Sequence, residues 1–165
     1  ELRGLRNIQL VYNKWDDIGY ETMGKGGSIQ WDFDKKRFPL EDDSVGVFFS
    51  YHTLQKHPDK IHMMREIYRV CADFSWAFLE VPSTKGPGAF SDPSHVSYWN
   101  HDSWLYYTSQ HSGGFAGTED IKFQAWLRDE RIPPEQGGDI WCTRAWMSCV
   151  KSKNYRCGEL NYDMR

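Results

Sequence analysis

The sequence predicts an α/β domain with a mostly parallel sheet closed by an antiparallel hairpin, and three observations carry that prediction. The first is a pair of uninterrupted apolar runs, VGVFFSY at 45–51 and SWAFLEVP at 75–82. Runs without alternation suit strands covered on both faces, as in a parallel sheet. The second is the segment between them, where Ile61, Met64, Ile67, Tyr68 and Cys71 recur at helical spacing and form one apolar stripe. Strand, helix and strand over this length make a βαβ unit, with the usual right-handed crossover expected. The third is the pair of long runs IKFQAWLRDERIP and IWCTRAWMSCVKS, joined by PEQGGD. Ile121, Phe123, Ala125 and Leu127 share one face of the first, and Trp141, Thr143, Ala145 and Met147 one face of the second, as in a hairpin.

The remaining elements follow in order. Residues 7–13 read as a short strand, 16–27 as a turn-rich loop with glycines at 19, 24, 26 and 27, and 28–33 as another strand. Pro58 opens the helix at a position where its missing N–H costs nothing. Residues 83–97 form a Gly-, Pro- and Ser-rich loop, and Asn100 caps a short aromatic helix over 101–111. The expected organisation is one domain over 1–165: a βαβ core at 32–82, a substrate-side loop and helix at 83–111, and the hairpin at 120–152.

Composition narrows the function. At 165 residues and 39% hydrophobic, the chain can bury one core. Aromatics reach 16%, with eight Trp, so rings must fill a core, a pocket or an interface. A net charge of -3 without a dense basic run predicts no nucleic-acid partner. No apolar stretch approaches a membrane span, and residue 1 opens a polar segment with no apolar leader core. Cys71, Cys142, Cys149 and Cys157 form no CxxC pair, so reduced thiols in a cytoplasmic protein are expected, without zinc or disulfides.

Residues 32–82 resemble class I S-adenosylmethionine (SAM)-dependent methyltransferases of the broad methyltransferase type 11 kind. RFPLEDDSVGVFFSYHTLQKHPD is similar to that family's LPF-D-SFD-V-S-HVLEH-PD segment, HMMREIYRV to its LREIYRVLKPGG helix, and WAFLEVPS to its LVIEVPN strand. FSDPSHVSYWNHDSW is similar to the DPTHVRFFTPESF segment that follows in some branches. The departures are concentrated at the front. The family's D/E-x-G-x-G-x-G loop has one candidate, Asp17-Ile18-Gly19-Tyr20, and the usual first helix and second strand are missing. The resemblance therefore implies a Rossmann-like sheet with its first βαβ unit shortened or missing. It also implies SAM as cofactor and methyl transfer to a small-molecule or sugar-like acceptor. The alternative is a non-catalytic methyltransferase-like module for binding or oligomerising. An abbreviated sheet exposes an edge, which makes a homo-oligomer a possible assembly.

Candidate site residues gather at the carboxyl ends of strands, where open α/β sheets bind ligands. The cofactor set is Gly19, Asp32, Asp34, Ser50 and Tyr51. By resemblance, Asp34 matches the acidic position that meets the adenine amino group; otherwise it is an exposed acid beside Lys35, Lys36 and Arg37. His52 orients the substrate or accepts a proton near neutral pH, or else is a histidine hydrogen-bonded for structure. Asp92 and His95 either pair for general-base work or brace a turn at Pro93. Tyr98 and Trp99 are assigned to the substrate pocket, with core packing the plainer reading for the ring at 99. No metal ligand set is expected.

Overall fold

A computed structural model describes residues 5–12, 18–22, 28–31, 37–109, 117–133 and 140–152. The strands are β1 (Arg6–Tyr12), β2 (Ile18–Thr22), β3 (Ser28–Trp31), β4 (Val45–Tyr51), β5 (Cys71–Pro82), β6 (Phe123–Ile132) and β7 (Ile140–Cys149). The helices are α1 (Lys60–Val70), α2 (Gly88–Ser91) and α3 (His101–Leu105), with a 3-10 turn at Leu54–Lys56. All strands join one sheet in the order β3-β2-β1-β4-β5-β7-β6.

The centre is parallel, as expected: β4 runs parallel to both β1 and β5. The hairpin also forms as read, with β6 antiparallel to β7 and β7 antiparallel to β5. The order 3-2-1-4-5 is that of doubly wound folds. The front departs from that pattern in direction, because β1, β2 and β3 form an antiparallel meander. The turn-rich reading of 16–27 is thus corrected: β2 lies inside it, antiparallel to β1. Tyr12 pairs with Ile18, leaving only residues 13–17 to connect the two strands. A crossover helix needs a dozen or more residues in its connection. The shortened first unit is therefore an antiparallel pairing of β1 with β2 in place of a parallel crossover.

One face of this sheet holds the core. Ile8 and Leu10 of β1, Phe48 of β4, Ala77, Leu79 and Val81 of β5, and Ala145 and Met147 of β7 join Met63, Met64, Ile67 and Val70 of α1 in one buried cluster. Trp99, Trp104 and Phe123 extend it, and Ala125 and Leu127 pack against it, as the hairpin pattern predicted. The helical stripe gains Met63 and Val70, while Cys71 passes to the start of β5. Asp59 caps α1, accepting from the His62 N–H at 2.9 Å, which leaves Pro58 just before the cap rather than in the first turn. Asn100 caps α3 in a reciprocal box with Ser103, and the helix ends at Leu105, shorter than the span 101–111 read from sequence.

β5 begins earlier than expected. Val45 pairs with Cys71 and Val47 with Trp76, so β5 carries extra residues between these pairs. The exposed Phe74, at φ 60°, marks the irregularity.

The loop at 37–44 is fixed to α1 by Arg69. Its guanidinium donates to Glu66, to the Phe38 and Leu40 carbonyls and to Asp42. Buried Glu66 accepts the Phe38 N–H at 2.6 Å. No helix among the described residues is long and apolar enough to cross a membrane.

Candidate functional site

Strand periodicity of two places Trp76, Phe78 and Glu80 on the sheet face opposite the core, and Cys142, Arg144 and Trp146 of β7 beside them. Glu80 pairs with Tyr51 on one side and Arg144 on the other. β4 ends at Tyr51, and His52 follows in the left-handed region at φ 50°. A non-glycine residue there is uncommon and costs of order 1–3 kcal/mol. The His52 N–H still donates to the Glu80 carbonyl at 2.9 Å. Backbone pairing thus continues past the strand end while the side chain is turned toward Glu80.

The result is a polar cluster drawn from the end of β4 and from β5, β6 and β7. Glu80 Oε1 lies 3.0 Å from His52 Nε2, and Arg144 Nε donates to Glu80 Oε2. Arg144 Nη1 reaches on to Glu130. Cys142 Sγ lies 3.5 Å from His52 Nε2. The Glu80 side chain is 9% exposed, whereas the His52 side chain is 39% exposed. The hydrogen bond from His52, with that from Arg144, outweighs burial and holds the Glu80 carboxyl below its ordinary range. Burial, reinforced by the Glu80 charge, pushes the Cys142 thiol up to about 11. A pocket of about 260 Å³ opens on this face, lined by Tyr51, Phe78, Leu79, Glu80, Arg144 and Trp146. It continues into an apolar trough of Val47, Trp76, Phe78, Trp126 and Trp146. Phe49 stacks on Phe78 at 5.0 Å and Trp76 on Trp126 at 5.2 Å.

This trough corrects the expectation that β4 and β5 are covered on both faces. Their core face is covered by helices, whereas Val47, Phe49, Trp76 and Phe78 are only half-buried, largely by one another.

The sequence-predicted residues separate into groups. Tyr51 and His52 sit at the carboxyl end of β4, Tyr51 on the pocket wall. Ser50 points into the core, fully buried, and its hydroxyl has no hydrogen-bond partner among the described residues. Gly19 is on β2 opposite Val11, at the same edge but two strands from β4. Asp32 and Asp34 lie outside the described residues. β3, which leads to them, stands three strand spacings from β4, roughly 14 Å.

Asp92 and His95 form a second locus. His95 is buried, with Nδ1 3.0 Å from the Ala89 carbonyl and Nε2 3.4 Å from Gln55 Nε2 and 3.5 Å from Asp92. Asp92 Oδ1 accepts from the Ser94 N–H and hydroxyl, which holds its carboxyl below the ordinary range. The Val96 and Ser97 amides both donate to the Gln55 carbonyl. These bonds brace the loop against the turn that follows β4. Tyr98 is exposed, its ring tilted against that of exposed Phe90 at 5.0 Å. Trp99 is corrected from pocket wall to core: it is fully buried, 4.5 Å from the Trp104 ring, and donates to Ser97.

Glu80, Cys142, Arg144 and Glu130 were missed. One signal was legible: Glu80 is an acid inside the otherwise apolar run WAFLEVP at 76–82, an arrangement that demands a partner.

Comparison with known proteins agrees with this architecture. No protein-family model matches the chain, and no curated protein matches it. Solved structures do. A SAM-dependent methyltransferase from Aquifex aeolicus superimposes with TM-score 0.50 at 16% identity, covering 74% of this chain and 55% of its own. A SAM-dependent methyltransferase from Methanosarcina mazei gives 0.51 at 11% identity, over 71% of this chain and 65% of its own. A possible histamine N-methyltransferase from Thermotoga maritima gives 0.52 at 9%, over 73% and 63%. The fold is that of the class I SAM-dependent methyltransferases, α/β and Rossmann-like. The chain spans 55 to 65% of the length of these three proteins.

Proposed function

We propose that this chain is a SAM-dependent methyltransferase whose acceptor, a small molecule or sugar-like compound, binds at the carboxyl end of β4 and β5. The observation that supports this most is the polar cluster of His52, Glu80 and Arg144 at that edge, beside the pocket that includes Tyr51. Arg144 and His52 hold the Glu80 carboxylate ionised, and Glu80 in turn orients the imidazole toward an acceptor. Asp92 and His95 act by bracing the loop that carries Tyr98 across this edge.

The fit to SAM itself is incomplete. Its methionine end needs close backbone approach at a glycine-rich strand-turn-helix after the first strand, and residues 13–17 are too few to form one between paired Tyr12 and Ile18. Gly19 lies within β2 and not in such a turn.

The same observation favours a second reading, a methyltransferase-fold module that binds a partner or a second copy through its open aromatic face. Isothermal calorimetry with SAM and with S-adenosylhomocysteine separates the two. Saturable heat at one site supports the enzyme. A folded protein that gives no heat with either compound removes it and leaves the module.

A further inference from the structure

We propose that His52, Glu80 and Cys142 form a binding site for a thiophilic divalent cation of the zinc class. One potential ligand atom from each residue lies within 4.8 Å of the other two. Imidazole nitrogen, carboxylate oxygen and thiolate sulfur are the donors such ions take, with bonds of about 2.0–2.3 Å in a tetrahedron. Those bond lengths imply edges of about 3.3 Å between nitrogen and oxygen and about 3.6 Å between nitrogen and sulfur. The cluster shows 3.0 Å from His52 Nε2 to Glu80 Oε1 and 3.5 Å from His52 Nε2 to Cys142 Sγ. The third edge, from the Glu80 oxygen to the Cys142 sulfur, lies within 4.8 Å, so a modest shift of the side chains closes the three donors on one ion.

Three further features make this a constructed arrangement. His52 is held at a left-handed φ of 50°, which aims its ring at Glu80 and Cys142. Arg144 engages the other Glu80 oxygen, which leaves Oε1 to ligate alone and fixes its direction, as an outer partner does for a metal-bound carboxylate. Arg144 is itself balanced by Glu130. A carboxylate and a thiolate neutralise a divalent ion, and the Arg144–Glu130 pair adds no net charge. Binding displaces the Cys142 proton to solvent as the metal–sulfur bond forms, with no change of oxidation state. Cys142 and Glu80 are buried, and the partly exposed His52 side chain marks the way in. Three protein ligands leave a fourth position for water or a substrate atom, the pattern of sites that act on ligands rather than brace a fold.

Binding by these three residues stands whether or not SAM binds. The test is titration of the reduced full chain with Co(II), followed by Zn(II) displacement. The expected result is one equivalent bound, with tetrahedral cobalt absorption and a sulfur-to-cobalt charge-transfer band that Zn(II) abolishes. Cys142→Ser should remove the charge-transfer band, and His52→Ala should weaken binding at least about tenfold. Circular dichroism checks that each variant folds, and His52→Ala, at a partly exposed position, serves if Cys142→Ser does not. No charge-transfer band with the folded native chain overturns the proposal. So does a band that persists in Cys142→Ser, or unchanged affinity in His52→Ala.

Discussion

Replacing Arg69 by Met tests how the front loop is held to the core. Arg69 Nε and Nη2 bond Glu66 at 2.8 and 2.7 Å, and its Nη groups cap the Leu40 and Phe38 carbonyls at 2.9 and 3.0 Å. The Glu66 side chain is 8% exposed, so removing the guanidinium strands a buried carboxylate with the Phe38 N–H as its remaining described partner. Breaking a buried pair on one side costs about 3–5 kcal/mol. The bond to exposed Asp42 adds little, because water and salt screen such a surface pair. Met retains most of the stem's packing, so the loss is chiefly electrostatic. Urea unfolding at pH 7 should show a lower midpoint with an unchanged slope. Adding Glu66→Gln removes the stranded charge, keeps an acceptor for Phe38, and should restore about 2 kcal/mol. A loss in Arg69→Met below about 1 kcal/mol, the size of an exposed pair, would refute the reasoning. So would a double variant no more stable than Arg69→Met alone.

Two further outcomes are expected. Arg65 grips Asp120 through two nitrogens at 2.7 and 3.1 Å and holds its carboxyl below the ordinary range, chiefly through the hydrogen bond. A folded-state value below the unfolded one stabilises the fold above about pH 3.9 and loses that contribution as pH falls through the folded value. Asp120→Asn should therefore lower stability at pH 7 by at most about 1 kcal/mol, since the pair is half-exposed, with the gap closing in urea titrations as pH falls through the folded-state value. At Gly86 an added Cβ would stand 2.7 Å from Trp141 Cδ1, so Gly86→Ala must displace the loop after β5 or the indole. Calorimetric melting should register a cost of about 1–3 kcal/mol.

Much of this architecture was legible because it is written in local periodicity. The runs at 45–51 and 75–82 each specify a strand, and the stripe from Ile61 to Tyr68 and the alternation of Phe123, Ala125 and Leu127 each specify an element and its buried face, without reference to the rest of the chain. The cap at Asn100 is likewise local. Gly19 shows the limit: glycines around a short strand look the same as glycines in a loop, and only pairing with β1 decides that 18–22 is β2. The direction of that pairing, antiparallel with only residues 13–17 between, is what removes room for a cofactor-binding helix.

The site was legible only in part, for a similar reason. His52 and Tyr51 follow from the rule that strand ends carry function. Glu80, Cys142 and Arg144 are scattered in sequence, and nothing local distinguishes them as a cluster. Sequence by itself determined the central strands, α1 and the closing hairpin, and most of the side chains these send into the core. Only the tertiary structure decided which strands lie side by side, and hence that β7 inserts next to β5 and brings a thiol and a guanidinium to Glu80 and His52. The physical reason is that burial patterns are set by spacing along the chain, whereas chemistry between side chains depends on hydrogen-bonded register across strands, which no single segment contains.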